Sequence, residues 1–187
     1  SSIPDFGQSS LSASILNALG GFDENCYLAQ CNNDNDEDNS NEPCLSQCSH
    51  YYDIELFRKL LDKRKGIFKM LSLNCQSIQA KISQLRVFLE CISEDGNPFD
   101  IICLQESWLE SESNTALLGL GGYNMISQGK SCSTHGGLVI YIKDWYQYQT
   151  LASVTDSSMW EGIFVKVTGS SLNKPLVVGN IYRPPRS

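Results

Sequence analysis

"DIICLQESWL", residues 100–109, joins a short apolar run to a carboxylate. Ile101 to Leu104 form a continuous apolar run, which is typical of a central strand buried on both faces in an α/β protein. Gln105 and Glu106 follow at the point where such a strand reaches the edge of its sheet. Glu106 is therefore either a surface residue that ends the strand or a ligand in a binding site.

A strand–helix–strand unit surrounds this run. "IFKMLSLN" (67–74) predicts a strand that ends at Asn74, and residues 79–93 predict a helix with one apolar face. If the two flanking strands are parallel, this helix is the crossover that covers their sheet. Four further strands are predicted between turn-rich loops, at 123–127, 138–143, 163–167 and 176–182. Their spacing favours antiparallel pairing beside the first unit, so the sequence predicts an α/β fold.

Charge and pattern divide the chain into three segments. Residues 1–50 contain eight acidic residues and no Lys or Arg, and their polar run "CNNDNDEDNSNEP" predicts disorder. Residues 51–66 are predicted to form a linking helix capped by Asp53, and residues 67–187 to form the folded domain. The net charge of −7 comes from the first segment, because the rest of the chain holds 14 basic and 13 acidic residues. A near-neutral domain is compatible with DNA binding.

The eight cysteines follow no regular framework, and no apolar run is long enough to span a membrane, so no membrane partner is predicted. Cys75, Cys91 and Cys103 lie in apolar strand or helix patterns, where a reduced thiol packs as a small hydrophobe. We therefore expect an intracellular protein. The first segment holds four cysteines and a histidine whose spacing departs from that of zinc sites. These residues are Cys26, Cys31, Cys44, Cys48 and His50. The role of these cysteines stays open.

Three predicted strands end in polar side chains that suit one site. Asn74 follows the first strand, Glu106 the second and Tyr182 the last. Side chains at strand ends of α/β sheets tend to converge in ligand sites. Mg²⁺ prefers oxygen ligands and keeps several waters, so one carboxylate can suffice, while a phenol can donate to a phosphate oxygen. The pattern predicts a magnesium–phosphate site with Asn74, Glu106 and Tyr182 as catalytic residues, and with Glu106 and Asn74 at the metal.

A series of motifs resembles a known family. In chain order the motifs are "LSLNCQSIQAKISQLRVFL", "FDIICLQESWL", "GGYNMI", "HGGLVIYIK", "WEGIFVKV" and "VVGNIYRPP". Over about residues 67–185 they are similar to the endonuclease domain of non-LTR (LINE-type) retrotransposons. That domain belongs to the endonuclease/exonuclease/phosphatase superfamily, with exonuclease III-like apurinic endonucleases and deoxyribonuclease I. The resemblance implies roughly the first half of a four-layer α/β sandwich.

The resemblance also implies roles for individual residues. Asn74 matches the amide that helps position the metal, Glu106 the carboxylate that binds Mg²⁺ (or Mn²⁺), and Tyr182 the tyrosine that approaches the scissile phosphate. Ser77 matches a small residue with a structural or substrate-binding role. The implied function is the nicking of target DNA, which leaves a 3′-hydroxyl that primes reverse transcription. The implied setting is the nucleus, with a reverse transcriptase encoded in the same polyprotein.

The sequence departs from the family pattern in its last motifs. A "GDFN"-like stretch, which activates water, and an "SDH"-like stretch, whose His contacts the phosphate, do not occur in the 187 residues. His50 and His135 do not occupy the matching place. Loss of such a group lowers a rate by roughly two to four powers of ten, so this fragment is expected to be nearly inert. It is also expected to supply only the first of two sheets, whose inner face would then lack a partner.

Two alternatives to a DNA endonuclease stay open. One is another phosphoesterase of the same superfamily, acting on lipid or nucleotide phosphates, and the other is a non-catalytic remnant of an element. Plain structural roles are predicted for four further residues near the motifs. Trp108 is expected to pack beside the strand end, Gly136 and Gly137 to form a turn, and Glu161 to lie at the surface.

Overall fold

The computed structural model describes residues 54–63, 66–93, 98–130, 135–156 and 160–183. The first half holds helix α1 (Ile54–Lys63), strand β1 (Met70–Asn74), helix α2 (Ile78–Ile92), strand β2 (Ile101–Gln105) and a 3-10 turn (Ala116–Leu118). Five strands follow: β3 (Tyr123–Gln128), β4 (Leu138–Lys143), β5 (Gln147–Asp156), β6 (Trp160–Thr168) and β7 (Leu176–Tyr182). The predicted disorder of residues 1–50 and the predicted cap at Asp53 lie outside the described residues.

The strands form two sheets. The first has the order β1-β2-β4-β3, and β1 and β2 are parallel, with Met70 opposite Ile101 and Asn74 opposite Gln105. The other pairs in this sheet are antiparallel, as are all pairs in the second sheet, β5-β6-β7. The predicted α/β class and the parallel β1–β2 pair are therefore confirmed. The predicted crossover is α2, which begins at Ile78 and connects these two strands.

Strand β2 lies between two hydrophobic cores, as its apolar run predicts. Ile102 and Leu104 pack with both helices on one face of the first sheet. Ile101 and Cys103 point to the other face, where they pack against the second sheet. Alternation along a strand sends successive side chains to opposite faces, so a strand covered on both sides is apolar at every position. The layers are helices, first sheet and second sheet.

The expectation that the first sheet lacks a partner is wrong. Its inner face packs against inward-facing residues of the second sheet, among them Ile163, Val165, Val167 and Val178. The error arises from β5, which the sequence did not predict because Gln147–Asp156 is mostly polar and its register shifts between Thr150 and Ala152. Without β5, the strands β6 and β7 could not be assigned to a sheet of their own.

Polar side chains join the two sheets at three levels. At one end, Tyr146, in the connection between β4 and β5, donates its hydroxyl hydrogen to Oδ1 of Asp100, directly before β2, at 2.9 Å. In the middle, Asn180 Nδ2 donates to the carbonyl oxygens of Leu104 and Val139, both at 3.0 Å, and the Gln105 amide donates to Asn180 Oδ1 at 2.5 Å. Because buried polar groups require partners, these contacts fix how β7 lies across β2 and β4. The third level, at the opposite end from Tyr146, is the candidate site.

Cys75, Cys91 and Cys103 carry free thiols, and Cys75 and Cys103 are buried. None of the described helices is long and apolar enough to cross a membrane.

Candidate functional site

Glu106 lies immediately after β2 and has a left-handed backbone, with φ of 51°. Regular alternation would place its side chain on the helix side of the sheet, with Leu104. Instead its carboxylate oxygen Oε1 accepts a hydrogen bond of 2.9 Å from the Tyr182 hydroxyl, which belongs to the second sheet. A left-handed conformation disfavours a non-glycine residue by about 1–2 kcal/mol, so surrounding contacts must hold this turn.

Tyr182 is positioned by the alternation of β7. Its side chain shares the inward face of the strand with Val178 and Asn180, and only 8% of its surface is exposed. The ring packs in the core between the sheets, and the hydroxyl reaches the Glu106 carboxylate. The structure thus brings together two of the three residues that the strand-end pattern singles out.

Asn74 is the last residue of β1, at the strand end that neighbours the end of β2. It is paired with Gln105 in the parallel β1–β2 register, one residue before Glu106. Its side-chain oxygen Oδ1 is buried and has no hydrogen-bond partner among the described residues. A buried acceptor without a partner is unfavourable by about 1–3 kcal/mol, and such atoms in native proteins usually meet a water, an ion or a ligand.

The loop after Asn74 joins the loop after β2. Gln76 and Ser77 have positive φ values of 42° and 81°. The backbone N–H of Ser77 donates to Glu106 O at 2.9 Å, and the next N–H, of Ile78, donates to Ser107 O at 3.1 Å. These bonds hold the two strand ends side by side and place the start of α2 next to them. Burial raises the pKa of the neighbouring Cys75 thiol to about 12, so this thiol stays neutral.

Ser77 has a structural role in this loop. Its hydroxyl accepts from the Ala80 N–H at 3.4 Å and forms the N-cap of α2. A contact of Ser77 with substrate stays a prediction.

The Gly136–Gly137 turn packs against the other side of the Glu106 loop. The N–H groups of Ser107 and Trp108 donate to Gly137 O and Gly136 O, both at 3.0 Å, and so continue the β2–β4 pairing irregularly beyond Gln105. Both glycines have positive φ, 98° and 82°. These two residues, here called the Gly136–Gly137 turn, lead from the bend at His135 into β4 and also support the segment that carries Glu106.

Glu161 is buried next to the candidate site, although the sequence favoured a surface position over a place in the site. It was expected at the surface, but only 2% of its surface is exposed, and its Oε2 accepts from the Gly137 N–H at 2.6 Å. It lies directly opposite Tyr182 in the β6–β7 register. The alternation of side chains along β6 could have predicted this burial. Glu161 lies two and four residues before the buried Ile163 and Val165, so its side chain points inward with theirs.

Trp108 and His135 border the same loops. Trp108 was expected to pack, but 42% of its surface is exposed while its neighbours Ser107 and Leu109 are buried, so its side chain points outward. Its φ of 55° is left-handed, as at Glu106. His135 is a partly exposed bend residue directly before the Gly136–Gly137 turn.

The donor set suits a hard cation that keeps much of its water shell. In the described part of the chain, no three His, Cys, Asp or Glu side chains come together to hold a metal by themselves. The candidate ligands are the Glu106 carboxylate and the unpartnered Asn74 Oδ1. One carboxylate and one amide oxygen match the way Mg²⁺ binds proteins, with few protein ligands and several waters.

Comparison with protein families matches residues 71–179, more than half of the chain, to a family described as Endonuclease/Exonuclease/phosphatase family. Two similar solved structures are those of the AP endonuclease LMAP from Leishmania major (20% identity, TM-score 0.45) and the human Nocturnin catalytic domain with bound sulfate anion (14% identity, TM-score 0.41). The similarity covers 62% and 60% of this chain, and 40% and 48% of those chains. The chain thus spans less than half the length of either structure. Comparison with curated proteins found no match.

Proposed function

Since the chain belongs to the endonuclease/exonuclease/phosphatase family, we propose that it is part of a Mg²⁺-dependent DNA endonuclease encoded by a retrotransposon. The whole enzyme nicks DNA by phosphodiester hydrolysis, and the free 3′-hydroxyl primes reverse transcription by an enzyme of the same polyprotein. Enzymes of this family generally use divalent metals. The retrotransposon origin is supported by the motif series that ends in "VVGNIYRPP".

One observation carries the proposal. The Tyr182 hydroxyl contacts the Glu106 carboxylate at 2.9 Å, and the buried Asn74 oxygen without a partner lies at the neighbouring strand end. A carboxylate, an amide oxygen and a phenol at one sheet edge form a site that can bind a cation and a phosphate together. A surface role for Glu106 would require neither the left-handed turn nor the contact between the sheets.

Each residue has a distinct part in the proposed reaction. Glu106 and Asn74 hold the cation, which when bound would stabilise negative charge on the phosphate. Tyr182 orients the Glu106 carboxylate in the resting site and can donate to a phosphate oxygen when substrate enters. The 187 residues contain no "GDFN"-like or "SDH"-like stretch, so we expect no measurable hydrolysis from these residues alone.

Metal binding to the purified chain tests the proposal without requiring turnover. Mn²⁺, followed by its electron paramagnetic resonance signal, should bind one site, and Glu106→Gln should weaken the affinity by about tenfold or more, since a charged ligand becomes a neutral one. Glu110→Gln is the matched control, because Glu110 is an exposed carboxylate four residues along the same segment. Equal affinities in wild type and Glu106→Gln would refute the metal assignment.

Substrate class is tested by competition with the same chain. A short DNA duplex should bind more tightly with Mg²⁺ than without it, and this difference should disappear in Glu106→Gln. A preference for inositol phosphates or nucleoside phosphates over the duplex would favour the phosphoesterase alternative. Failure to bind metal or any phosphate compound would identify a non-catalytic remnant.

A further inference from the structure

We propose that Glu161 is a positioning residue for the Glu106 carboxylate, acting through the Gly136–Gly137 turn. This inference rests on the metal site proposed above and deepens it. Glu161 contacts the turn through the Gly137 N–H, and the turn in turn bonds the segment that carries Glu106. Its effect passes along a chain of hydrogen bonds, so it is a positioning residue and not a catalytic one.

The first link joins the second sheet to the turn. Glu161 Oε2 accepts a short hydrogen bond of 2.6 Å from the Gly137 N–H. The carboxylate is almost fully buried, with 2% exposure. A buried carboxylate is strongly unfavourable unless it is well hydrogen-bonded, so the bond from the Gly137 N–H is part of what makes the buried position of Glu161 possible.

The second link joins the turn to the loop that carries Glu106. The carbonyl groups of Gly136 and Gly137 accept from Trp108 N and Ser107 N, both at 3.0 Å. A carbonyl can serve as a fixed acceptor only if its peptide plane is fixed. The bond from Gly137 N–H to Glu161 fixes the Gly136–Gly137 peptide, and with it the orientation of the Gly136 carbonyl.

The third link is the strained turn itself. Glu106 and Trp108 both have left-handed φ, 51° and 55°. Such conformations persist where surrounding contacts over-determine them. On one side the loop is held by Ser77 N–H, which donates to Glu106 O, and on the other by the two glycine carbonyls. Releasing the glycine side leaves the turn free to relax, and relaxation moves the carboxylate away from Tyr182 and Asn74.

Packing at the turn shows that the arrangement is tight. A Cβ atom on Gly136 would lie 2.5 Å from Glu161 Oε1, and one on Gly137 would lie 2.6 Å from Ser107 Oγ. A side chain at either position would therefore force Glu161 or Ser107 to shift. Glu161 also lies opposite Tyr182 in the β6–β7 register, so the same strand pair positions the residue that bonds Glu106 and the residue that bonds the turn.

A matched pair of variants tests the inference. Glu161→Gln keeps an oxygen acceptor of similar size, whereas Glu161→Met keeps the volume and removes the acceptor. In hydrogen exchange followed by NMR, the amides of Ser107 and Trp108 should exchange about tenfold faster in the Met variant and within about threefold of wild type in the Gln variant. Amides of the β1–β2 ladder serve as the internal reference. Unchanged exchange at Ser107 and Trp108 in the Met variant would overturn the inference.

Metal affinity provides the second readout. Glu161→Met should weaken Mn²⁺ binding by about 10- to 100-fold, as loss of an orienting partner of a ligand does, and Glu161→Gln should restore most of it. A control is Tyr146→Phe, which removes a hydrogen bond between the sheets at the far end. It should lower the melting temperature and leave Mn²⁺ affinity unchanged. If the Gln variant binds as weakly as the Met variant, the charge of Glu161 matters and not its acceptor, which contradicts the inference.

The two readouts separate this inference from the proposed function. If the wild-type chain binds no Mn²⁺, the proposed metal site fails, while the exchange rates still decide whether Glu161 holds the turn. If the Met variant does not fold, NMR scalar couplings across hydrogen bonds in the wild-type chain test the inference instead. A coupling from Gly137 nitrogen to the Glu161 carboxyl carbon, with one from Ser107 nitrogen to the Gly137 carbonyl carbon, supports the chain of bonds. Absence of either coupling refutes it.

Discussion

The Tyr182 hydroxyl donates to Glu106 Oε1 at 2.9 Å and joins the ends of two strands from different sheets. Tyr182→Phe removes this bond and keeps the ring. We expect the free energy of unfolding in urea to fall by about 1–2 kcal/mol, at the lower end for hydrogen bonds to charged groups, because Glu106 is partly exposed. Tyr148→Phe, on the exposed face of β5, should change it by less than about 0.5 kcal/mol.

A double-mutant cycle with Glu106→Gln shows whether the two side chains act on each other. The coupling energy should be at least about 0.5 kcal/mol, as expected for residues in contact. Simple additivity of the two single changes would contradict the contact.

Asn180 holds the two sheets together from a position that is only 1% exposed. Asn180→Leu keeps the approximate volume but leaves the carbonyl oxygens of Leu104 and Val139 and the amide of Gln105 without this partner. We expect the free energy of unfolding to fall by about 3 kcal/mol or more, since each unsatisfied buried group is unfavourable by about 1–3 kcal/mol. Asn173→Leu, at an exposed loop position, is the control and should be nearly neutral. Similar stability of the two variants would show that Asn180 does not join the sheets.

A comparison of two glycines with the same φ distinguishes the effect of backbone strain on stability from that of steric crowding. Gly66 and Gly137 both have φ of 82°, but a Cβ on Gly66 meets nothing within 4 Å, whereas one on Gly137 meets Ser107 Oγ at 2.6 Å. Gly66→Ala should lower the free energy of unfolding by about 1 kcal/mol through the backbone alone. Gly137→Ala should lower it by about 2 kcal/mol more through overpacking. Chemical denaturation of both variants checks this, and equal losses would contradict the close packing at the turn.

Stability should fall in alkaline solution because of buried thiols. Burial raises the pKa of Cys75 and Cys103 from about 9 to about 12, and it also raises the pKa of the Tyr141 hydroxyl. Since the folded-state pKa lies above the unfolded one, this stability is complete below about pH 9 and is lost as the pH rises towards 12. The expected slope is about 1.4 kcal/mol per pH unit for each thiol.

This slope is reached only above about pH 9, where the unfolded thiols ionise, so urea unfolding at pH 8 and pH 10 should show a loss of about 1.4 kcal/mol for each buried thiol over the whole interval. Cys75→Ala and Cys103→Ala should each reduce the pH dependence, although both lower stability at pH 8 by leaving small cavities. Cys91→Ala is the control, because Cys91 is only partly buried. An unchanged slope in both buried-site variants would show that these thiols are not responsible.

The sequence by itself determined the elements that local pattern controls. The apolar run in "DIICLQESWL" predicts a strand covered on both faces, and β2 has one core on each side. The helical periodicity of residues 79–93 matches α2 to within one residue. Polar residues at the ends of apolar strands predict that Asn74, Glu106 and Tyr182 belong to a site. Each of these patterns lies within a few consecutive residues, where the periodicity of apolar residues predicts which side chains are buried.

The tertiary structure alone decided how these strand ends meet. β5 is mostly polar, so its pairing with β6, and with it the second sheet, depends on long-range contacts that leave little trace in its own sequence. The left-handed turn at Glu106 likewise has no local signature, since Glu does not favour positive φ. It exists because Ser77 holds it on one side and the Gly136–Gly137 turn on the other, and that turn is held by Glu161 from the second sheet. The direction of the Glu106 carboxylate is therefore fixed by hydrogen bonds between residues far apart in the chain.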